Sequence, residues 1–121
     1  MPATFTFKGQ LTKKDGAQIG LTVNVLDTFA AAQSVLFEGI IEKTTTDKAI
    51  SFQEITTAKR IFIQSDKPIL IKLNANTNTA IPCGTGAAGA FLWFNGEITA
   101  LFITNPSQEE DVNVTVVVAS E

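Results

Sequence analysis

The sequence contains no histidine, no tyrosine and a single cysteine, Cys83. Without histidine it lacks the commonest general base, the usual metal ligand and one member of most catalytic triads. One cysteine excludes a disulfide within the chain and a metal site built from cysteines, and no basic residue near Cys83 in the sequence would activate its thiol. We therefore expect no enzymatic activity, no cofactor and no metal, and a fold held together by packing alone.

Charged residues are also few. The 121 residues include 9 Lys or Arg and 12 Asp or Glu, for a net charge of −3. Nucleic-acid binding needs clustered basic side chains, whereas the adjacent basic pairs Lys13-Lys14 and Lys59-Arg60 fit solvated loops. No apolar run has the length of a membrane span, and the N-terminus has no signal-peptide pattern. We expect a protein made soluble in the cytoplasm, with neither a nucleic acid nor a membrane as partner.

The residues that are abundant favour β-strands. Nine Phe accompany many Val, Ile and Thr, and apolar residues rarely recur at helical spacing. A chain of 121 residues is long enough to bury one good core. Eight or nine short strands with turn sequences between them are typical of a β-sandwich or a small barrel. The sequence therefore predicts one all-β domain over residues 1–121, an antiparallel, jelly-roll-like β-sandwich.

Alternating residues and turn sequences place most of the strands. Asp15-Gly16 marks the turn of a first hairpin between residues 3–12 and 17–26. Residues 27–33 have a helix-like composition and suit one or two helical turns or a loop. A turn at residues 65–68 predicts a second hairpin between its flanking strands. The predicted later strands are residues 34–42, 49–56, 60–64, 69–73 and 112–119.

Asn95-Gly96 is the strongest turn signal in the chain. It lies between runs rich in aromatic and branched residues, and a type I′ turn needs positive φ at both central positions, which Asn and Gly tolerate. A two-residue turn fixes the register, so Phe94 is predicted opposite Glu97 and Trp93 opposite Ile98. One face of this predicted hairpin then carries Phe91, Trp93, Ile98, Ala100 and Phe102, which we interpret as the core face.

The second face of the same hairpin is apolar as well, and a two-layer sandwich has no third layer to cover it. We expect this face to bind a neighbouring copy, either in a symmetric homo-oligomer, with a trimer favoured, or in a polymer held by contacts on a larger shell, unless the first hairpin or residues 27–33 fold over it. A charge at Leu101 or Ile103 would then dissociate the assembly without unfolding it. The candidate interface residues are Leu92, Phe94, Leu101 and Ile103, with Leu36 and Ile40 on the mixed face of the predicted strand 34–42.

Two segments resemble ligand-binding sites but lack the neighbouring structure or the ligand residues that such sites need. Gly84 to Gly89 match the G-x-G-x-x-G pattern of dinucleotide-binding sites, which has meaning only where it follows a strand and opens a helix. A strand-forming run follows it here, so we interpret the segment as a connecting loop. The polar residues 74–79 offer only neutral oxygens, and without carboxylates they fit an exposed loop better than a calcium site.

Trp93 and Phe94 leave a carbohydrate-binding alternative open. Aromatic residues on the surface of a sandwich can form a platform for sugar stacking, as in a lectin-like domain or a tail or fibre adhesion module. Core and interface packing explain the same residues without a ligand, and the lack of tyrosine weakens the sugar hypothesis. The alternatives differ in whether Trp93 is exposed beside polar loops such as residues 74–79 or packed inside.

The C-terminal half of the chain resembles a group of viral proteins. The phrases I-F-I-Q-S-D-K-P-I-L-I-K-L-N, A-I-P, G-A-F-L-W-F-N-G-E-I-T-A-L-F-I-T-N-P-S and V-N-V-T-V-V-V-A follow one another between Ile61 and Ala119. Their order and pattern are similar to small structural proteins of tailed-bacteriophage virions that decorate or cement capsids or build necks and fibres. The resemblance implies a β-sandwich subunit of the virion that oligomerises and docks on other virion proteins such as the major capsid protein.

The expected absence of cofactor chemistry is testable by thermal shift. Nicotinamide and adenine nucleotides should leave the melting temperature unchanged, because no predicted helix follows residues 84–89 to hold a pyrophosphate. A ligand present at about a hundred times its Kd stabilises a protein by about 2.7 kcal/mol, which such a scan detects. A reproducible, saturable rise in melting temperature with any of these nucleotides would contradict the prediction.

Overall fold

The computed structural model describes residues 3–15, 18–84 and 89–120, and the regular structure of these residues is entirely β-strand. Their ten strands are β1 (Ala3–Asp15), β2 (Gln18–Ala31), β3 (Ser34–Ile41), β4 (Lys48–Ala49), β5 (Ala58–Ser65), β6 (Ile69–Leu73), β7 (Ile81–Cys83), β8 (Ala90–Ile98), β9 (Leu101–Thr104) and β10 (Val112–Ala119). All pairings between these strands are antiparallel. The described residues form no helix that is long and apolar enough to cross a membrane.

Eight of the strands form a sandwich of two four-stranded sheets. Sheet I has the order β3-β10-β5-β8, and sheet II has the order β4-β9-β6-β7. From β3 to β10 each connection leads to the opposite sheet, except the one between β6 and β7, which are neighbours in sheet II. This alternation between two sheets is the strand order of a jelly roll. The predicted all-β, jelly-roll-like antiparallel sandwich is confirmed.

The core lies between the two sheets and consists mainly of Ile and Val. Side chains alternate across a strand, so β10 directs Val112, Val114, Val116 and Val118 inward. Branched side chains suit a pleated surface that is buried on one side, and burying each of them stabilises the fold by roughly 1.5–3 kcal/mol. The largest fully buried side chains are Ile41, Ile61, Ile63, Ile69, Ile71, Ile98, Leu101, Ile103, Val112, Val116 and Val118.

The hairpin predicted at Asn95-Gly96 is wrong. β8 continues through both residues and pairs with β5, and neither residue has positive φ. The register shifts between Ala58 and Arg60, so the extra residue is accommodated in a β-bulge. A Cβ at Gly96 would lie 2.7 Å from Cε1 of Phe94, so a larger residue here would require the Phe94 ring to shift. The Asn-Gly sequence therefore lies within a strand, at a position where the backbone of Gly96 comes close to the ring of Phe94.

The chain crosses to sheet II after Ile98 instead of folding back, and this reverses the predicted faces. Leu101 and Ile103, predicted on an outer face, are 1% and 0% exposed in the core. Leu92 and Phe94 were predicted on that same face. They are partly buried and pack against the core from sheet I, whereas Leu101 and Ile103 belong to sheet II. The outer-face assignment of these four residues is wrong, since β8 belongs to sheet I and β9 to sheet II, so the two strands do not share an outer surface.

Of the residues assigned to the core face of that hairpin, Ile98 is buried in the core as predicted, but the three aromatic residues lie on the outer side of their strands. Phe91 is 58% exposed, and Trp93 and Phe102 are half-buried. On β3 the predicted alternation is confirmed, because Leu36 and Ile40 are exposed while their neighbours along the strand turn inward. Two of the six candidate interface residues therefore remain on the surface.

Several strand predictions are confirmed, although two of the pairings differ. Residues 34–42 and 112–119 correspond to β3 and β10. Residues 60–64 and 69–73 are strands too, but β5 and β6 belong to different sheets, so residues 65–68 cross between sheets and close no hairpin. Of the predicted strand 49–56 only Ala49 is paired, in β4. The rest of that segment is a loop in which the apolar residues Ile50, Phe52 and Ile55 are buried.

An N-terminal hairpin precedes the sandwich, as predicted. β1 and β2 pair from Ala3 opposite Ala31 to Asp15 opposite Gln18, and they form a separate two-stranded sheet. The predicted turn residue Gly16 lies outside the described residues. The hairpin is longer than predicted, because residues 27–31 belong to β2 and not to the helical turn or loop expected for residues 27–33.

Ile103→Ala should destabilise the protein by about 2–5 kcal/mol, because it leaves a cavity in a closely packed core. Ile40→Ala removes the same atoms from an exposed position and should change stability by no more than about 0.5 kcal/mol. Denaturant unfolding followed by circular dichroism measures both values. Equal midpoints for the two variants would contradict the burial of Ile103. A charge at Leu101 or Ile103 is accordingly expected to unfold the chain.

Candidate docking surface

The outer face of sheet I carries an apolar row that crosses its four strands. Cross-strand partners share a face, and the registers place Leu36 opposite Val117, Val117 opposite Phe62, and Phe62 opposite Trp93. The neighbours of these residues along their strands, such as Ile61, point into the core. The sandwich therefore has an apolar interior and an apolar strip on its outside.

Large apolar side chains are exposed around this row. Leu36 and Ile40 on β3 are 59% and 57% exposed, and Phe91 on β8 is 58% exposed. Phe91 packs edge-on against Phe62, with ring centroids 5.3 Å apart and planes at 63°. Three of the five large hydrophobic residues that are exposed in the described part of the chain thus lie on this face. Exposed apolar surface that is contiguous in this way is typical of an interaction site.

Polar residues border the apolar row on both sides. On one side the row of Glu38, Thr115 and Gln64 is polar and ends on β8 at the exposed Phe91. On the other side Ser34, Arg60 and Asn95 are polar, and the buried Ala119 lies between Ser34 and Arg60. Near the end of β8, Lys59 Nζ donates a hydrogen bond of 2.8 Å to Glu97 Oε1, and this bond and the lysine charge lower the pKa of Glu97. An apolar centre with a polar rim is the usual anatomy of a protein–protein interface.

β3 is the least protected outer strand of the sandwich. In sheet II the outer strands β4 and β7 have only two and three residues, and β7 contains Pro82. β8, the other outer strand of sheet I, is interrupted by the bulge at residues 95–97. β3 pairs with β10 without a break over eight residues and carries a single charge, Glu38. Short strands, prolines and bulges discourage edge pairing, and β3 has none of them.

The N-terminal hairpin meets this face near β5 and β8. Phe5 and Thr6 of β1 line a cavity of about 210 Å³. Its other walls are Arg60, Phe62, Trp93, Val117 and Ala119. At the junction with the sandwich, the Gln33 N–H donates to Ser120 Oγ at 3.0 Å, and the Ser120 N–H donates to the Gln33 carbonyl at 2.9 Å. The hairpin is therefore fastened at its base, while β3 keeps an exposed outer face.

A polar cluster lies where the chain crosses from β5 to β6. Asp66 accepts hydrogen bonds from the Asn113 backbone N–H at 2.9 Å and from Asn113 Nδ2 at 2.8 Å. Lys67 Nζ lies 3.7 Å from a carboxylate oxygen of Asp66 and 3.7 Å from one of Glu110. The bonds from Asn113, assisted by the charge of Lys67, hold the pKa of Asp66 below its ordinary value. The Asp66 carboxylate fastens this crossing to β10, and the Glu110 carboxylate pairs with Lys67 of the same crossing, so both have a structural role.

Reactive groups are not assembled in the described part of the chain. Its Asp, Glu and Cys residues form no group of three or more that could hold a metal ion. Cys83 is buried, and burial raises the pKa of its thiol, which disfavours the reactive thiolate. Residues 85–88 of the G-x-G-x-x-G segment lie outside the described residues, and β8 follows the segment where a dinucleotide site needs a helix. Residues 74–79 are largely exposed, as predicted.

Sequence reasoning found only part of this surface. It identified Leu36 and Ile40, whose strand alternates between apolar core residues and a mixed outer face. It missed Phe62 and Val117, although each lies between branched residues that point into the core. Period-two alternation could have found both, because a strand that buries its even or odd positions must expose the other set.

Comparison with known proteins adds no assignment: no family model matches the chain, no curated protein is significantly similar to it, and no solved structure matches it significantly. The evidence on function is therefore the arrangement of the outer face of sheet I and of the hairpin.

The lowered pKa of Asp66 predicts a pH-dependent contribution to stability. The ionised carboxylate accepts the bonds from Asn113, so its contribution is present above the ordinary pKa of 3.8 and is lost as the pH falls through the lower folded value. Because the side chain is partly exposed, Asp66→Asn should cost no more than about 1 kcal/mol at neutral pH. Urea midpoints measured from pH 7 down to about pH 2 should show this difference shrinking in acid. A constant difference, or an equal one for the exposed Glu54→Gln control, would contradict the assignment.

Proposed function

We propose that this protein is a non-enzymatic structural subunit of a virion, a capsid decoration or cement protein that acts by self-association and by docking on other capsid proteins. The observation that carries the proposal is the outer face of sheet I, where Leu36, Ile40 and Phe91 are exposed around an apolar row. A two-layer sandwich has no layer of its own to cover such a face. Binding a partner there removes apolar surface from water, which is favourable.

The size of the face indicates how it would be used. Four strands of eight residues span about 27 by 19 Å, or about 500 Å². Burying the apolar part of that area is worth several kcal/mol at about 25 cal/mol per Å². A stable interface buries about 800 Å² on each partner, so this face needs a second contact to hold a partner firmly. Repeated contacts on an oligomer or on a capsid lattice would supply it.

The assignment to a virion is supported by the resemblance of residues 61–119 to small structural proteins of tailed bacteriophages. The jelly-roll strand order agrees with it, since this architecture occurs in viral capsid proteins as well as in lectins. In this proposal the protein is made in the host cytoplasm, forms a homo-oligomer for which a trimer is favoured, and binds virion proteins such as the major capsid protein. Its partners include neither a nucleic acid nor a membrane.

A carbohydrate-binding or fibre-adhesion role is the second candidate, and one observation favours it. Trp93 lies on the outer face of sheet I, and with Phe5 and Phe62 it lines the cavity of about 210 Å³. Aromatic rings beside an open cavity can stack on a sugar. The polar loop 74–79 takes no part in that lining, and Asn74 Oδ1 instead accepts a hydrogen bond of 2.8 Å from the Thr99 N–H. The predominance of apolar walls favours a protein partner over a sugar, which needs several polar groups.

Immuno-electron microscopy of phage particles tests the proposal. Antibodies against the protein should label the heads of the tailed phage that carries its gene, and the variants Leu36→Glu and Ile40→Glu should lose the label because each puts a charge into the docked face. Ile81→Glu places the same charge at an exposed residue of β7 and should keep the label. Circular dichroism of each variant shows whether it folds.

Unlabelled particles would count against a virion role. Binding on a glycan array that disappears in Trp93→Ala would then favour the second candidate.

A further inference from the structure

One face of the N-terminal hairpin is exposed and carries an apolar residue beside a free charge. Lys8 and Leu26 are cross-strand partners, so their side chains share a face of the ribbon. Leu26 is 67% exposed, more than any other large hydrophobic residue in the described part of the chain. Lys8 is exposed as well, and it makes no ion pair with the described residues. The sandwich of the same chain leaves this face of the hairpin uncovered.

The outer face of β3 has the complementary arrangement. Leu36, Glu38 and Ile40 occupy alternate positions and are all exposed. Glu38 lies between the two apolar residues and, within the described residues, has no ion-pair partner. Successive residues on one face of a strand are about 7 Å apart, and cross-strand partners are about 5 Å apart. Lys8 and Leu26, about 5 Å apart, can therefore contact Glu38 and one of its apolar neighbours, about 7 Å apart, at the same time.

We infer that Lys8 and Leu26 of one copy dock on Leu36, Glu38 and Ile40 of a second copy, so that the subunits exchange their N-terminal hairpins. The inference rests on the proposed function, of which it names the self-association contact. Both surfaces are exposed within one chain, which shows that they do not cover each other there. Each copy has one hairpin and one β3 face, so in a closed ring of copies every hairpin covers the β3 face of a neighbour.

The dimensions and charges of the hairpin favour a second copy as its partner. Strands of 13 and 14 residues are about 44 Å long, whereas the eight residues of β3 span about 27 Å. A two-stranded ribbon is only marginally stable in water, so a ribbon of this length gains from packing on a second sheet. Residues 3–31 contain three Lys and two Asp, a net charge of +1, whereas residues 34–120 contain six Lys or Arg and nine Asp or Glu, a net charge of −3. The hairpin of one copy and the sandwich of another therefore attract each other.

A charge exchange between copies tests this contact. Lys8→Glu and Glu38→Lys should each weaken self-association about three- to tenfold, because each places like charges in contact. In an equimolar mixture of the two variants, the new carboxylate of the first variant meets the new ammonium of the second, while the reverse contact keeps its native charges. The mixture should therefore recover the association at both contacts in a ring of two copies and at two of the three contacts in a ring of three. Analytical ultracentrifugation measures the association. Lys48→Glu and Glu54→Lys, exposed on β4 and in the loop after it, are the charge-matched controls.

Recovery in the mixture supports exchange, because a contact within one chain cannot be restored by adding another chain. Loss without recovery, no loss beyond the controls, or a wild-type protein that stays monomeric at micromolar concentration would each overturn the inference. If circular dichroism shows that Lys8→Glu unfolds, Leu26→Ser and Leu36→Ser replace the charge variants, with Ile81→Ser as control, and both must weaken association about tenfold.

The two proposals fail differently. Phage heads that bind a monomeric protein would contradict self-association and the hairpin exchange, but they would leave the docking on virion proteins standing. An oligomer whose charge exchange succeeds but whose antibody labels no particle would contradict only the virion role.

Discussion

Every strand of a two-layer sandwich can bury one of its faces, and the rest of this structure follows from that limit. Sheet I turns Val116, Ile61 and Ile63 into the interior, where they meet Ile71 and Ile103 of sheet II. These branched side chains supply the hydrophobic stabilisation that the chain would otherwise need from a disulfide or a metal. On the outer side of sheet I, Phe5 and Thr6 of the hairpin border a cavity with Phe62 and Val117, whereas Leu36 on β3 stays exposed.

Several polar groups of the sandwich serve its packing. Asn105, which is buried, donates from Nδ2 to the carbonyls of Ile41 and Glu110. Asp47 has positive φ and is held by Lys72, whose Nζ lies 3.1 Å from Oδ1. No buried side-chain nitrogen or oxygen of the described residues lacks a hydrogen-bond partner. Such satisfied networks make the connections between sheets rigid, and a rigid sandwich is a suitable platform for binding other proteins.

The hairpin and the outer face of sheet I are best understood together. The base of the hairpin is attached to the end of β10 through Gln33 and Ser120, and it borders a cavity over Phe62 and Trp93. Leu26 on the hairpin and Leu36 on β3 are both exposed, so one chain presents two surfaces that each lack a cover. A protein that works by association needs such surfaces, whereas a protein that works by catalysis needs converging reactive groups.

Local patterns in the sequence were sufficient for the fold class and for many strands. Alternation predicted β3 and β10, and Asp15-Gly16 predicted the pairing of β1 with β2. Turn sequences were less reliable, because Asn95-Gly96 lies within β8 at a bulge, and residues 65–68 cross between sheets instead of closing a hairpin. Placing residues 90–98 and 101–104 in one sheet put Leu101 and Ile103 outside and Phe91 inside.

By itself the sequence determined which residues share a face, since the period of a β-strand is two and needs no tertiary information. It also determined that the protein is all-β and that its strands are apolar on both sides. Only the tertiary structure decided which of two apolar faces is buried, because that choice depends on the sheet to which each strand belongs. In β8 the residues that pack against the core are Leu92 and Phe94, and Phe91 and Trp93 lie on the outer side.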